Sequence, residues 1–325
     1  MKVAVIVGIN YYEYGNPLYG CVNDAYKVKS ILELNADGTV NFECKLITAS
    51  SSRESIDRGE LRDAIEQLFS IKAETVLFYF SGHGHIETTG GYLMTSTSKK
   101  GNDGIPLTEI LKMAKDSPAS NKIVVLDSCH SGIAGTKPGQ EEEAVLTQGL
   151  TILTSSTKDQ YSIEGNESGI FTSLFVDALA GSAADLLGQI TPGSIYAHID
   201  QSLGAFEQRP LFKTNVSTFV SLRQVTPAIQ LDELKRIAKF FPKPGFEFKL
   251  NPTYEPEMKG RDEGMPFPIE ENTREFAILQ KYNRINLLIP VDAPNMWKAA
   301  MDSKSCKLTA LGEHYRRLAT KGKLG

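Results

Sequence analysis

Residues 1–222 alternate short runs of β-branched and aromatic residues with stretches whose apolar positions recur at helical spacing. Few architectures accept that pattern. Residues 3–7, 42–47, 75–80, 122–126 and 150–153 read as strands, with 216–222 as a last one. Residues 24–34, 60–71, 107–114, 170–180 and 195–203 read as helices between them. The runs at 75–80 and 122–126 are apolar almost throughout, as strands covered on both faces must be. Strands alternating with helices imply an α/β fold, with a mostly parallel sheet and helices on both faces.

Bulk properties narrow the class further. The net charge of −4 gives no chain-wide basic field, so neither nucleic acid nor an acidic membrane surface is expected as a partner. No apolar run reaches the roughly 18 residues that a membrane-spanning helix needs, so no membrane association is expected. Residues 1–8 are apolar but short and lack a basic flank, and read as a strand rather than a signal peptide. The four cysteines, Cys21, Cys44, Cys129 and Cys306, are far apart and form no Cys-x-x-Cys pair. They argue against a zinc site and a disulfide framework, and for a reducing compartment, the cytoplasm.

Two short motifs follow two of the buried strands. The third strand runs into Ser81-Gly82-His83-Gly84-His85, and the fourth into Asp127-Ser128-Cys129-His130-Ser131-Gly132. Sites in open α/β sheets form beyond the carboxyl ends of the strands, so neighbouring placement of these two would open both motifs onto one rim. A cysteine at a strand end is by itself more often a small buried hydrophobe. A thiol paired with an imidazole, however, becomes an effective nucleophile near neutral pH. The chemistry expected is acyl transfer through a thioester, with Cys129 as nucleophile and His83 moving the proton. The amides of Gly84 and Cys129 are the candidate donors to the oxyanion. His130 adjoins the thiol and His85 lies farther from its strand, so both rank below His83. No cofactor and no metal is called for.

At these residues the sequence resembles the metacaspases, relatives of the caspases. The matching pieces are Val5-Ile6-Val7-Gly8-Ile9-Asn10, Gly20-Cys21-Val22-Asn23-Asp24-Ala25, Phe78-Tyr79-Phe80-Ser81-Gly82-His83-Gly84 and Asp127-Ser128-Cys129-His130-Ser131-Gly132. Cys129 follows His83 by 46 positions, near the roughly 50 of caspases. The resemblance covers residues 1–222. It implies a caspase-like sheet of six strands and a Cys129–His83 dyad. It also implies a pocket for the residue before the scissile bond, lined by Asp24 and Asp127 with Cys21 and Ser81 nearby. Two carboxylates select a cation, so cleavage of protein substrates after Arg or Lys is expected. Calcium-activated metacaspases cluster aspartates in two loops where this chain has Ser98-Lys99-Lys100-Gly101-Asn102-Asp103 and Thr136, so calcium dependence is not expected. The Gly-, Pro- and Glu-rich stretch 133–145 reads as an exposed loop. It offers Lys137 followed by Pro138, a poor place for self-processing.

The pattern changes near Thr226, dividing the chain into a peptidase-like domain, 1–225, and a smaller, mainly helical domain, 226–325. Helices are expected at 231–241, 273–283, 293–301 and 308–320, the last resembling the later helix of a winged-helix module with Leu308, Leu311, Tyr315 and Leu318 inward. Six prolines between 242 and 268 mark an extended, irregular stretch around Arg261. This second domain is expected to bind a regulatory protein or to be cut by an upstream protease at Arg261, releasing an enzyme held inactive as a zymogen. The alternative is a non-enzymatic adaptor that recruits partners through residues 226–325.

Overall fold

The computed structural model describes residues 1–128, 136–137, 140–144, 146–155, 169–204, 209–217 and 219–324. Contacts divide the chain into two compact units, Met1–Thr226 and Pro227–Gly325. In the first, the strands are β1 (Lys2–Ile9), β2 (Phe42–Ala49), β3 (Thr75–Ser81), β4 (Gly84–Glu87), β5 (Gly90–Leu93), β6 (Ile105–Pro106), β7 (Asn121–Asp127), β8 (Thr136–Lys137), β9 (Gln140–Ala144), β10 (Leu150–Thr154), β11 (Gln189–Ile190), β12 (Leu211–Asn215) and β13 (Arg223–Gln224). Its α-helices are α1 (Cys21–Glu33), α2 (Arg58–Ser70), α3 (Leu107–Asp116), α4 (Ile170–Asp177) and α5 (Pro192–Ser202).

Six strands form the central sheet in the order β12-β10-β7-β3-β1-β2. All neighbours are parallel except β12, which runs antiparallel to β10. Strict alternation along β1 feeds two cores. Val3, Val5, Val7 and Ile9 pack with Leu61, Ile65 and Leu68 of α2 and Ile110 of α3. Ala4 and Ile6 pack on the other face with Ala25, Val28 and Leu32 of α1, Phe175 of α4 and Ile195 of α5. Burial on both faces is why these strands read as continuous apolar runs. Gly8 lets α1 close onto β1: a Cβ there would stand 2.3 Å from the Cys21 carbonyl oxygen.

The sixth strand is not at 216–222 but at Leu211–Asn215. An edge strand pairs on one side only and can carry Lys213 and Thr214, so its polarity hid it. The Thr214 hydroxyl hydrogen-bonds that of Thr151 across the pair at 2.9 Å. The stretch expected as a loop at 133–145 contains the short antiparallel pair β8–β9.

The second unit comprises α6 (Leu231–Lys235), α7 (Ile237–Phe240), β14 (Glu247–Lys249), α8 (Glu270–Arg284), β15 (Leu288–Val291), α9 (Met296–Met301), β16 (Ser305–Leu308) and α10 (Ala310–Thr320). The expected single helix over 231–241 is broken at Arg236, and an antiparallel sheet β14-β16-β15 accompanies the helices. Strands of three or four residues are too short for alternation to announce them. β15 and β16 are joined through α9 rather than by a hairpin. The inward side of α10 also differs from expectation. Gly312 and Arg316 are its buried residues, while Leu311 is exposed. Gly312 fits because its Cα lies against the Leu287 carbonyl, and Arg316 is neutralised by Glu313 at 2.7 Å.

The proline-rich stretch is built round Arg261. Its guanidinium donates to the carbonyls of Pro252, Glu255, Glu257 and Pro266. A side chain so engaged is the hub of its loop, while residues 256–260 and 262–264 around it are exposed, as read from sequence.

Candidate active site

β3 and β7 are neighbours, with Ser81 opposite Asp127 at the carboxyl ends of the pair. The Gly82 amide donates to the Asp127 carbonyl at 3.2 Å, extending the ladder one step. His83 stands two positions beyond Ser81, and in sequence Cys129 stands two beyond Asp127. Cys129 itself, like His130, lies outside the described residues.

His83 is held from three directions. Its backbone N–H donates to the Tyr12 hydroxyl at 2.7 Å. Its ring lies against the Tyr12 ring, centroids 4.5 Å apart. Its Nε2 is 2.9 Å from the Asn16 carbonyl oxygen. A carbonyl only accepts, so Nε2 carries hydrogen and a neutral His83 keeps its lone pair on Nδ1. Tyr12 and Asn16 lie in the 10–20 connection between β1 and α1, and neither was singled out in the sequence. A tyrosine hydroxyl and a main-chain carbonyl act here through a loop path that residue type does not reveal. Gly84 opens β4, opposite Leu93 of β5.

Asp24, Asp127 and Ser81 are brought together and buried. Asp24 sits in the first turn of α1 but does not cap it; Asn10 Oδ1 accepts from the Val22 amide instead, at 3.1 Å. The Asp24 carboxylate accepts from the Gly169 amide at 3.3 Å and from the Ser81 hydroxyl at 3.5 Å. Asp127 accepts from the Thr172 hydroxyl at 2.6 Å. That proton being committed, Tyr79 is the donor in its 2.5 Å bond to Thr172, giving a chain Tyr79–Thr172–Asp127. Burial pushes the Asp127 carboxyl up to about 6; the Thr172 hydroxyl opposes this and the nearby Asp24 charge adds to it. Gly169 lies over the acids, where a Cβ would be 2.7 Å from Asp127 Oδ2 and 3.6 Å from Asp24 Oδ2. Cys21 is buried at the start of α1, one turn ahead of Asp24. Thr172 and Gly169 also escaped the sequence reading. They come from the far side of β10, and only the fold brings them here.

Asp103, in the loop where calcium-binding acids were sought, spends its carboxylate on the Lys99 and Lys100 amides. Among the described residues no group of three or more His, Cys, Asp or Glu side chains could hold a metal ion. Among them also, no helix is long and apolar enough to cross a membrane.

Comparison with known proteins gives the geometry its context. No curated protein matches the sequence. The fold is similar to the crystal structure of a Geobacter sulfurreducens protein, with a TM-score of 0.50 at 17% identity over 69% of this chain and 99% of that one. It is similar to caspase-1 from Spodoptera frugiperda, with a TM-score of 0.50 at 13% identity over 69% of this chain and 90% of that one. At these identities the likeness is one of fold alone. The model of the caspase domain matches residues 1–221, which span the whole central sheet and both motif-bearing strand ends. The chain therefore belongs to the caspase-domain family, and its first unit is a caspase-like cysteine peptidase domain.

Proposed function

We propose that this protein is an endopeptidase of metacaspase type that cuts protein substrates after Arg or Lys, with Cys129 and His83 as its dyad. The observation that carries the reading is the buried pair Asp24 and Asp127 at the strand end that His83 follows, with Cys129 two positions beyond Asp127 in the sequence. Two carboxylates in a site poor in water are costly unless a cation joins them, and a guanidinium or ammonium supplies one. An aspartate side chain in that place would add a third negative charge.

In this reading His83 Nδ1 takes the proton of the Cys129 thiol as sulfur attacks the scissile carbonyl carbon. The amides of Gly84 and Cys129 receive the oxyanion. The C–N bond breaks, the amine leaves with the proton from His83, and water hydrolyses the thioester. The Nε2–H bond to Asn16 supports this division of labour, because it leaves Nδ1 as the basic nitrogen. The Gly169 amide now engages Asp24, so an arriving basic side chain must displace it. That supports an enzyme held inactive until a trigger withdraws the Gly169 amide from Asp24.

Fluorogenic peptides with Arg, Lys or Asp before the reporter test this. Arg and Lys peptides are expected to be cleaved, with activity lost in Cys129→Ala. Cleavage of the Asp peptide in preference, or turnover that survives Cys129→Ala, would overturn the reading.

A further inference from the structure

The protein's negative charge is not spread evenly. Residues 255–271 contain six acids against Lys259 and Arg261, a net charge of −4. The whole chain is also −4, so everything outside this segment is balanced. Arg261 turns its charge inward onto four carbonyls, as described above. Glu257, Asp262, Glu263 and Glu271 are exposed, and none of them forms an ion pair among the described residues.

The same segment exposes large apolar side chains. Phe267 is 76% exposed, Ile269 51% and Met258 50%. Arg261 bonds both Glu257 and Pro266, so the residues that follow each of them, Met258 and Phe267, flank one guanidinium. Trp297 of α9, 36% exposed, extends the surface: a Cβ on Gly260 would lie 3.4 Å from its ring. Exposed apolar residues gathered in one place and rimmed by charge mark interaction surfaces. Because Arg261 already fixes the loop, little ordering cost remains for a partner to offset.

We propose that residues 255–271 with Trp297 form a docking surface for a basic, apolar segment of another protein. The acids decide the partner. An anionic lipid surface or a nucleic acid would be repelled by the rim, whereas alternating Lys/Arg and apolar side chains would meet both parts of it. This goes beyond the peptidase reading and is tested by binding rather than cleavage, so its failure leaves that reading untouched.

Trp297 is the only tryptophan, which makes its fluorescence a direct report of occupancy. Full-length Cys129→Ala protein is titrated with an amphipathic leucine–lysine peptide, and with the same peptide carrying glutamate for lysine. The basic peptide is expected to shift Trp297 emission to shorter wavelength, saturably, with an affinity that falls as salt rises. Phe267→Ser, at a site too exposed to disturb folding, and the pair Asp262→Lys with Glu263→Lys are each expected to weaken binding about tenfold. No shift, an equal shift with the glutamate peptide, or unchanged affinity in both variants overturns the proposal. A shift produced by anionic vesicles would identify a membrane site instead. Self-association lost in Phe267→Ser would identify a second copy as the occupant. Either of these also overturns it.

Discussion

Asp127→Asn should make the first unit more stable at alkaline pH and less able to bind a basic side chain. Burial holds the Asp127 carboxyl at about 6 in the fold against 3.8 ordinarily. Below pH 3.8 the group is protonated in folded and unfolded chains alike and costs nothing. Between 3.8 and about 6 the unfolded chain ionises while the fold keeps its proton, so stability falls as pH rises. Above about 6 the full cost is present, about 3 kcal/mol at about 1.4 kcal/mol per tenfold change in proton affinity. Asparagine removes the charge and keeps an oxygen for Thr172. It gives up the acceptor used by the Ser155 hydroxyl, which returns about 1 kcal/mol. The net gain at pH 8 is about 2 kcal/mol, or about 4–8 °C in the melting transition of a domain this size. Calorimetry of the full chain in the Cys129→Ala background, from pH 4 to pH 8, follows that transition. The asparagine variant should melt higher at pH 8 and lose its advantage by pH 4. A lower melting point at pH 8, or a difference that does not change with pH, would refute the buried-charge argument.

Three further perturbations test the scaffold around the site. Tyr12→Phe keeps the ring against His83 but removes the acceptor of its backbone N–H, and should lower kcat on an Arg peptide about tenfold with KM little changed. Gly8→Ala places a methyl 2.3 Å from the Cys21 carbonyl oxygen and must push α1 off the sheet. A loss of about 1–3 kcal/mol in thermal melting and a raised KM for Arg peptides are expected, because Asp24 rides on that helix. Arg261→Ala strips four carbonyls of their donor, and a Glu-specific protease should then cut the 255–263 stretch at least about fivefold faster than in the wild type.

What could be read from sequence follows from how each element is buried. β1, β3, β7 and β10 are covered on both faces, so their apolar runs stand out from any background. β12 has one neighbour and half-buried side chains, and a more β-like stretch beside it, 216–222, took its place in the reading. In the second unit β14, β15 and β16 draw their stability from packing, as in the edge-on contact of Phe240 with Phe248, which no local pattern encodes. The candidate site divides in the same way. His83, Asp24 and Asp127 are chemically conspicuous and sit in Gly-flanked or helix-opening motifs. Tyr12, Asn16, Gly169 and Thr172 contribute a hydroxyl or a main-chain group, and their partners lie 45 to 145 positions away.

The link between the two readings is the register of β3 against β7. Ser81 faces Asp127 across a parallel pair, so each chain leaves the sheet at the same height. In the sequence a histidine comes two positions after Ser81 and a cysteine two positions after Asp127. A slip of one residue in that register would turn every β7 side chain to the opposite face. It would exchange Val124 and Leu126, which belong to the core beneath α2 and α3, with Ile123 and Val125, which belong to the core beneath α1 and α4. The alignment of the two strand ends is thus protected by the packing of both cores, and one core residue, Tyr12, also holds His83 directly. The acids are secured differently: Asp127 ends β7, while Asp24 arrives on α1, whose distance from the sheet is set by Gly8. The position of Asp24 therefore depends on a helix-to-sheet contact, and the alignment of the two motif-bearing strand ends on strand pairing. Substitutions at the first contact should move Asp24 while leaving the second intact.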